Sequence, residues 1–153
     1  LDSSSFLAQG YAANRFTEPR ENFAHQHQDV RVENGTQYGD LPEFCDYYYI
    51  SRVAKVNGAA AWSLGNGPEN PQNVTIDATI LTNDSILGWV KVKGAVGYEI
   101  MWRPTDEPFW THYIPVGDVD GARVAISKDN VVFGVRSVAK NGYRSPAVLP
   151  FPK

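Results

Sequence analysis

From residue 72 onward the apolar positions of this chain recur every second residue. Leu87 and Trp89, then Tyr98, Ile100 and Trp102, then Val124 and Ile126, then Phe133 and Val135 each fall on one side of a strand. Lys93-Gly94, Pro104-Thr105-Asp106, Asp120-Gly121 and Asn141-Gly142 punctuate these runs as turns. This rhythm predicts a β-sandwich of about seven strands between residues 72 and 150.

Upstream the period changes. From Tyr47 to Leu64, Ile50, Val53, Ala54, Ala60, Ala61 and Leu64 recur at helical spacing, with Asp46 placed to cap the start and Gly65 and Pro68 to stop the end. Gly58 inside that helix costs about 1 kcal/mol relative to Ala. Gly65-Asn66-Gly67-Pro68-Glu69-Asn70-Pro71-Gln72 reads as a linker, so domains are expected over 1–64 and 73–153 with 65–72 between them. Ahead of the helix, Ala12 to Thr17 reads as a short strand, and a polar span from Glu18 to about Pro42 follows. Loops of that length without structure of their own are uncommon and often functional.

Composition narrows the function classes. The chain has 153 residues, 42% hydrophobic and 20% charged, which fits one ordinary globular domain or two small ones. A net charge of −3 without a basic run gives no electrostatic footprint for nucleic acid. No apolar stretch approaches the ~18 residues that a membrane span requires. Cys45 is the single cysteine, which excludes an intrachain disulfide, and it reads as a small buried residue. The opening Leu1-Asp2-Ser3-Ser4-Ser5-Phe6 has neither an initiator Met nor a signal-peptide pattern, and the expectation is a piece of a longer protein.

Zinc sites of hydrolases draw on His nitrogens and carboxylate oxygens, and they need three or four protein ligands. The histidines here are His25, His27 and His112, and the pair in Phe23-Ala24-His25-Gln26-His27 is too generic in spacing to define a site. Of the four tryptophans, Trp89 and Trp102 sit at core positions of strands, while Trp110 with Tyr113 is a candidate face for glycan or protein. Asn34-Gly35-Thr36, Asn73-Val74-Thr75 and Asn83-Asp84-Ser85 are formal N-glycosylation acceptors, meaningful in a eukaryotic secretory setting.

Two resemblances sharpen this picture. Ser85-Ile86-Leu87-Gly88-Trp89 resembles the Leu-x-Trp second strand of fibronectin type III domains, and Gly97-Tyr98-Glu99-Ile100-Met101-Trp102-Arg103 is similar to their third. The run Val135 to Pro146 resembles their sixth strand and the turn into the seventh. Val131 stands where the family has its corner tyrosine, which implies a divergent member without the corner hydrogen bond.

The run Gly10 to Pro19, followed by Glu21-Asn22-Phe23-Ala24-His25 and by Asp29, resembles the C-terminal part of co-catalytic zinc peptidases of family M twenty-eight, which includes bacterial leucyl aminopeptidases. Asp2-Ser3-Ser4-Ser5-Phe6 is similar to the family's Asp-His-x-x-Phe turn, with Ser3 in place of the His. The resemblance implies that His25 is the family's last zinc ligand and Asp29 its orienting carboxylate, with His27 out of register.

It further implies a mixed fold: the C-terminal remnant of an α/β zinc-peptidase domain (strand, long loop, helix), then an all-β immunoglobulin-like or fibronectin type III-like sandwich. The general-base Glu and the other ligands lie upstream, so no catalytic residue is expected here. Glu18, Glu21, Glu33 and Glu43 then serve solvation, turns or a substrate rim. The implied parent is an aminopeptidase with two zinc ions, which this segment alone does not hold. Implied partners are the missing N-terminal catalytic portion, a peptide substrate and a second copy through the orphaned helix; the implied location is secreted or periplasmic. The competing reading is a non-catalytic β-sandwich adhesion, assembly or binding module.

Overall fold

The computed structural model describes residues 2–9 and 13–153. The chain divides into two compact units, Leu1–Arg52 and Val53–Lys153, and the division falls inside one helix.

The second unit is a two-sheet β-structure whose strands follow the period-two pattern. In chain order, after the hairpin strands β1 (Arg31–Glu33) and β2 (Thr36–Tyr38), come β3 (Gln72–Ile76), β4 (Ser85–Val90), β5 (Ala95–Pro104), β6 (His112–Gly117), β7 (Gly121–Val124), β8 (Val131–Ala139) and β9 (Phe151–Pro152). One sheet has the order β7-β4-β3-β9 and the other β6-β5-β8. Neighbours are antiparallel except β3 and β9, which pair in parallel through Thr75 with Phe151 and Ile76 with Pro152. After β8 the chain returns along it, bridging Val138 to Arg144 and Val135 to Val148. The mostly antiparallel order, with sequential strands split between two sheets, defines a β-sandwich.

Its core is what the alternation predicts. Leu87, Trp89, Tyr98, Ile100, Val124, Phe133 and Val135 are buried together with Val74 from β3, and Trp102 and Ile126 pack against them. Fully burying such a side chain stabilises by about 1.5–3 kcal/mol, so this cluster carries the unit. Trp89 tilts against Tyr98 at 5.5 Å and donates its indole N–H to the Val119 carbonyl at 2.9 Å. The hydrogen bond lets the tryptophan be buried without orphaning its donor, and the ring contact packs its apolar face. Gly134 is small for a reason: a Cβ there would lie 2.7 Å from the ring of Trp110, which covers that point of the sheet.

Helix α2 (Tyr47–Gly65) follows the spacing closely. Asp46 Oδ1 accepts from the Tyr49 N–H at 3.0 Å, the capping bond its position predicts. None of its residues is buried, and Ile50, Val56 and Leu64 are exposed. Within the second unit the helix end is tied by Trp62 Nε1 donating to the Tyr143 hydroxyl at 2.8 Å. Tyr143→Phe is expected to cost about 1 kcal/mol, the net worth of one hydrogen bond, in urea unfolding of the chain.

The first unit departs from the sequence reading at several points. Residues 2–6 form not a turn but the start of a helix, α1 (Asp2–Ala8). The strand expected from Ala12 to Thr17 is not formed over 13–17, and Ala12 lies outside the described residues. The polar span expected to be structureless contains the β1-β2 hairpin, with Arg31 paired to Tyr38 and Glu33 to Thr36, and two short 3-10 turns, Phe23–His25 and Pro42–Phe44. Cys45 is exposed, not buried, because it follows the second of these turns at the surface.

The hairpin is anchored by Gly39, which has φ +106 and donates its N–H to the Ala24 carbonyl at 3.0 Å. A Cβ there would lie 2.7 Å from Val30 Cα. Gly39→Ala therefore combines a disallowed φ with a backbone clash. It is expected to destabilise the first unit by more than about 1 kcal/mol, read as faster amide exchange at Ala24 to Tyr38.

Candidate functional site

The candidate metal segment folds as a 3-10 turn, Phe23–His25, started by Asn22. Asn22 Oδ1 accepts from the Ala24 N–H at 3.1 Å, and its Nδ2 meets His25 Nε2 at 3.3 Å. The imidazole is half-buried and stacks flat on Phe44, with ring centroids 3.6 Å apart and 5° between planes. Two neighbours of different chemistry thus fix the ring: an amide on one nitrogen and an aromatic face beneath it.

The other two candidates are placed differently. His27 is exposed and has φ +51, a left-handed backbone that puts it off the turn carrying His25. Asp29 is exposed as well; its backbone carbonyl accepts from Arg31 at 3.3 Å, and no hydrogen bond among the described residues joins its carboxylate to His25. Asn22 is the polar group that orients the imidazole here. Its signal in the sequence is a capping residue three places before the His; Phe44 has no such signal, because its contact depends on how the loop closes. His112 stands in the other unit, stacked on Trp102 at 5.0 Å.

An open cavity of about 530 Å³ lies beside His25, with Glu18, Glu21, Asp40 and Cys45 also on its wall. These are donor types a zinc ion takes, yet among the described residues no three His, Cys, Asp or Glu converge on one point. A single imidazole cannot fix coordination geometry, so the residues present do not compose a zinc site by themselves.

A second polar constellation sits on the outer face of the three-stranded sheet. Glu99 on β5 is 3% exposed and accepts from Arg136 Nε at 2.6 Å and from Arg144 Nε and Nη2 at 3.0 to 3.1 Å. Burial pushes the Glu99 carboxyl up, but the hydrogen bonds from Arg144 and Arg136 outweigh it and hold its pKa below the usual 4.5. This cluster braces the sandwich. Tyr113, suggested as a binding residue, is exposed nearby with the Arg136 guanidinium 5.7 Å from its ring, whereas Trp110 is half-buried over Gly134.

The fold is thus a β-sandwich preceded by a small unit presenting one oriented histidine. The chain is 59% identical over 99% of its length to a protein of Pyricularia oryzae named "Probable zinc metalloprotease", of which it spans 32%. It is 56% identical to one of the same name from Pyrenophora tritici-repentis, again over 99% of this chain and 32% of the relative. A third, from Leptosphaeria maculans, is 53% identical over 99% of this chain and 36% of the relative. The chain thus spans about a third of the length of the curated relatives it matches. No family model matches it. Among solved structures, an Fn3-like protein from Clostridium thermocellum is similar at TM-score 0.47 and 15% identity, covering 57% of this chain and 94% of that one. The fn3 domain of the human collagen alpha-1(XX) chain is similar at 0.44 and 15%, covering 57% and 90%. The strand order, rather than these likenesses, defines the sandwich.

Proposed function

We propose that the chain is the C-terminal segment of a di-zinc metallo-exopeptidase, an aminopeptidase of family M twenty-eight. In this reading the first unit with helix α2 ends the α/β catalytic domain, and the fibronectin type III-like sandwich is an accessory. The observation that carries the proposal is identity of 59% over nearly the whole chain to a relative named as a zinc metalloprotease. His25 supplies one zinc ligand, and Asp29 orients it once the site is assembled. The remaining ligands, the general-base Glu and the peptide-binding groups come from the rest of the longer protein.

That longer protein is also the natural cover for α2. Tyr48 is 72% exposed and Val56 57% exposed on a helix that buries no residue, and apolar surface of that kind favours a partner. The upstream catalytic portion takes that place, with self-association of the orphaned helix expected when it is missing. The compartment we infer is extracytoplasmic, as the family's secreted or periplasmic members imply.

The isolated chain is expected to hold no zinc through dialysis and to cleave no aminoacyl-p-nitroanilide, whereas the full-length protein is expected to retain zinc and cleave the substrate. Zinc-dependent turnover that stays with the isolated chain through further purification would sink this assignment. The non-catalytic binding-module reading is favoured by the exposed Phe109 and Tyr113 of the sandwich. Intact mass of the native product separates the two: a chain of this length alone supports the module, a product about three times longer supports the enzyme.

A further inference from the structure

We infer that Asn34 is a site of N-linked glycosylation, an inference that rests on the extracytoplasmic reading and on the eukaryotic setting of the relatives. The sequence offers three acceptor tripeptides, and the fold sorts them. Asn34 and Gly35 are the two central residues of the β1-β2 turn, with φ +49 and +79, the backbone of a two-residue hairpin with both central residues left-handed. Asn34, Gly35 and Thr36 are all exposed, and a Cβ added at Gly35 would meet nothing within 4 Å. Among the described residues no side-chain hydrogen bond engages Asn34 or Thr36, so the acceptor amide and the hydroxyl two residues on both face solvent.

The other two tripeptides are knitted into the sandwich. Thr75 Oγ1 donates to the Gly88 carbonyl at 3.4 Å, and Val74, between it and Asn73, is 1% exposed in the core. Ser85 is fully buried, and its hydroxyl donates to the Ile126 carbonyl at 2.7 Å. Once β3 and β4 have formed, neither hydroxyl can stand beside its acceptor amide as the reaction requires. The hairpin apex keeps its tripeptide available after folding, and a bulky polar glycan there displaces no packed side chain.

The donor is a lipid-diphosphate-linked oligosaccharide. Asn34 Nδ2 forms a bond to the anomeric carbon and gives up one proton to the transferase. The anomeric C–O bond breaks, and the lipid diphosphate leaves with the electron pair. No oxidant or reductant is consumed.

The test expresses the full-length protein in a eukaryotic secretory host in two arms, one with its natural N-terminus and one behind an efficient foreign leader. Peptides are treated with a glycan-releasing amidase in heavy-oxygen water, and a position labelled beyond an amidase-free control, which captures spontaneous Asn-Gly deamidation, counts as marked. The expected result in the foreign-leader arm is that most Asn34 peptide is marked, with lower occupancy at Asn83. Both Asn34→Gln and Thr36→Val remove that mark and the matching gel shift, the second while keeping the turn residue. An unmarked Asn34 in secreted protein from that arm overturns the inference, whatever the other two positions carry. Failure of the natural N-terminus alone to export the protein, with Asn34 marked in the other arm, defeats only the compartment reading.

Discussion

Glu99→Ala is expected to destabilise the chain by about 3 kcal/mol, the low end of the range for breaking a buried ion pair from one side. The carboxylate ties together three stretches of backbone: β5, on which it sits, β8 through Arg136, its partner in register, and the return segment through Arg144. Its removal leaves two guanidinium groups facing each other without an anion. The Arg144 side chain, 42% exposed, can rehydrate; that of Arg136, 21% exposed, does so less well, which sets the cost near the lower bound rather than the upper. The exposed pair Arg31 and Glu33 serves as a control, with side chains 40% and 55% exposed. Glu33→Ala is expected to cost less than about 1 kcal/mol. Urea unfolding of the three proteins measures both, and equal losses would refute the special place of Glu99.

The same carboxylate gives a pH signature. Its folded pKa lies below the ordinary 4.5, so its stabilising contribution is complete above that value and is lost as pH falls through the folded pKa. The unfolded chain binds the proton first, and stability must decline with acid. Glu99→Gln keeps one acceptor oxygen but cannot titrate. Its stability is expected to fall less steeply below pH 4.5 than that of the natural chain, and parallel curves would remove Glu99 from the acid response.

The legibility of this molecule followed the range of the forces involved. β4 announces itself because its fully buried positions alternate with less buried ones, and β5 because its apolar positions recur every second residue, so Leu87, Trp89, Tyr98 and Ile100 could be placed in the core from spacing alone. Glu99 could not: a charge between two core positions reads as solvent-facing, and its partners Arg136 on β8 and Arg144 on the return segment are brought to it only by the fold. Asn34-Gly35 is a strong hairpin signal, but the flanking Arg31-Val32-Glu33 is short and exposed throughout, so no alternation accompanies it. The Asp2–Ala8 helix was hidden by a resemblance that placed a turn there. At the candidate site His25 was singled out by the family resemblance rather than by the spacing of the histidines. Its orienting neighbours were not, since Phe44 reaches His25 only through closure of the intervening hairpin.

In the full-length protein, His25→Ala is expected to weaken zinc binding by more than about 100-fold, beyond the ~10–100-fold typical of losing an outer partner of a ligand. His27→Ala is expected to leave it within a few-fold of the natural protein. The two residues are close in sequence, so the contrast must come from how they are held. A metal ligand contributes most when its ring is already in place, because the rotamer entropy of ordering it has been met by folding. The His25 imidazole meets that condition through the flat stack on Phe44. His27, exposed on a left-handed backbone, has no ring contact of this kind among the described residues. Phe44→Leu should fall between the two, loosening the ring while leaving its nitrogens in the chain. Zinc-to-protein ratios after dialysis, with circular dichroism to establish that each variant is folded, measure all three. Equal losses for His25→Ala and His27→Ala would refute the ligand assignment, and an unchanged Phe44→Leu would show that the stack does not prepare the ring for the metal.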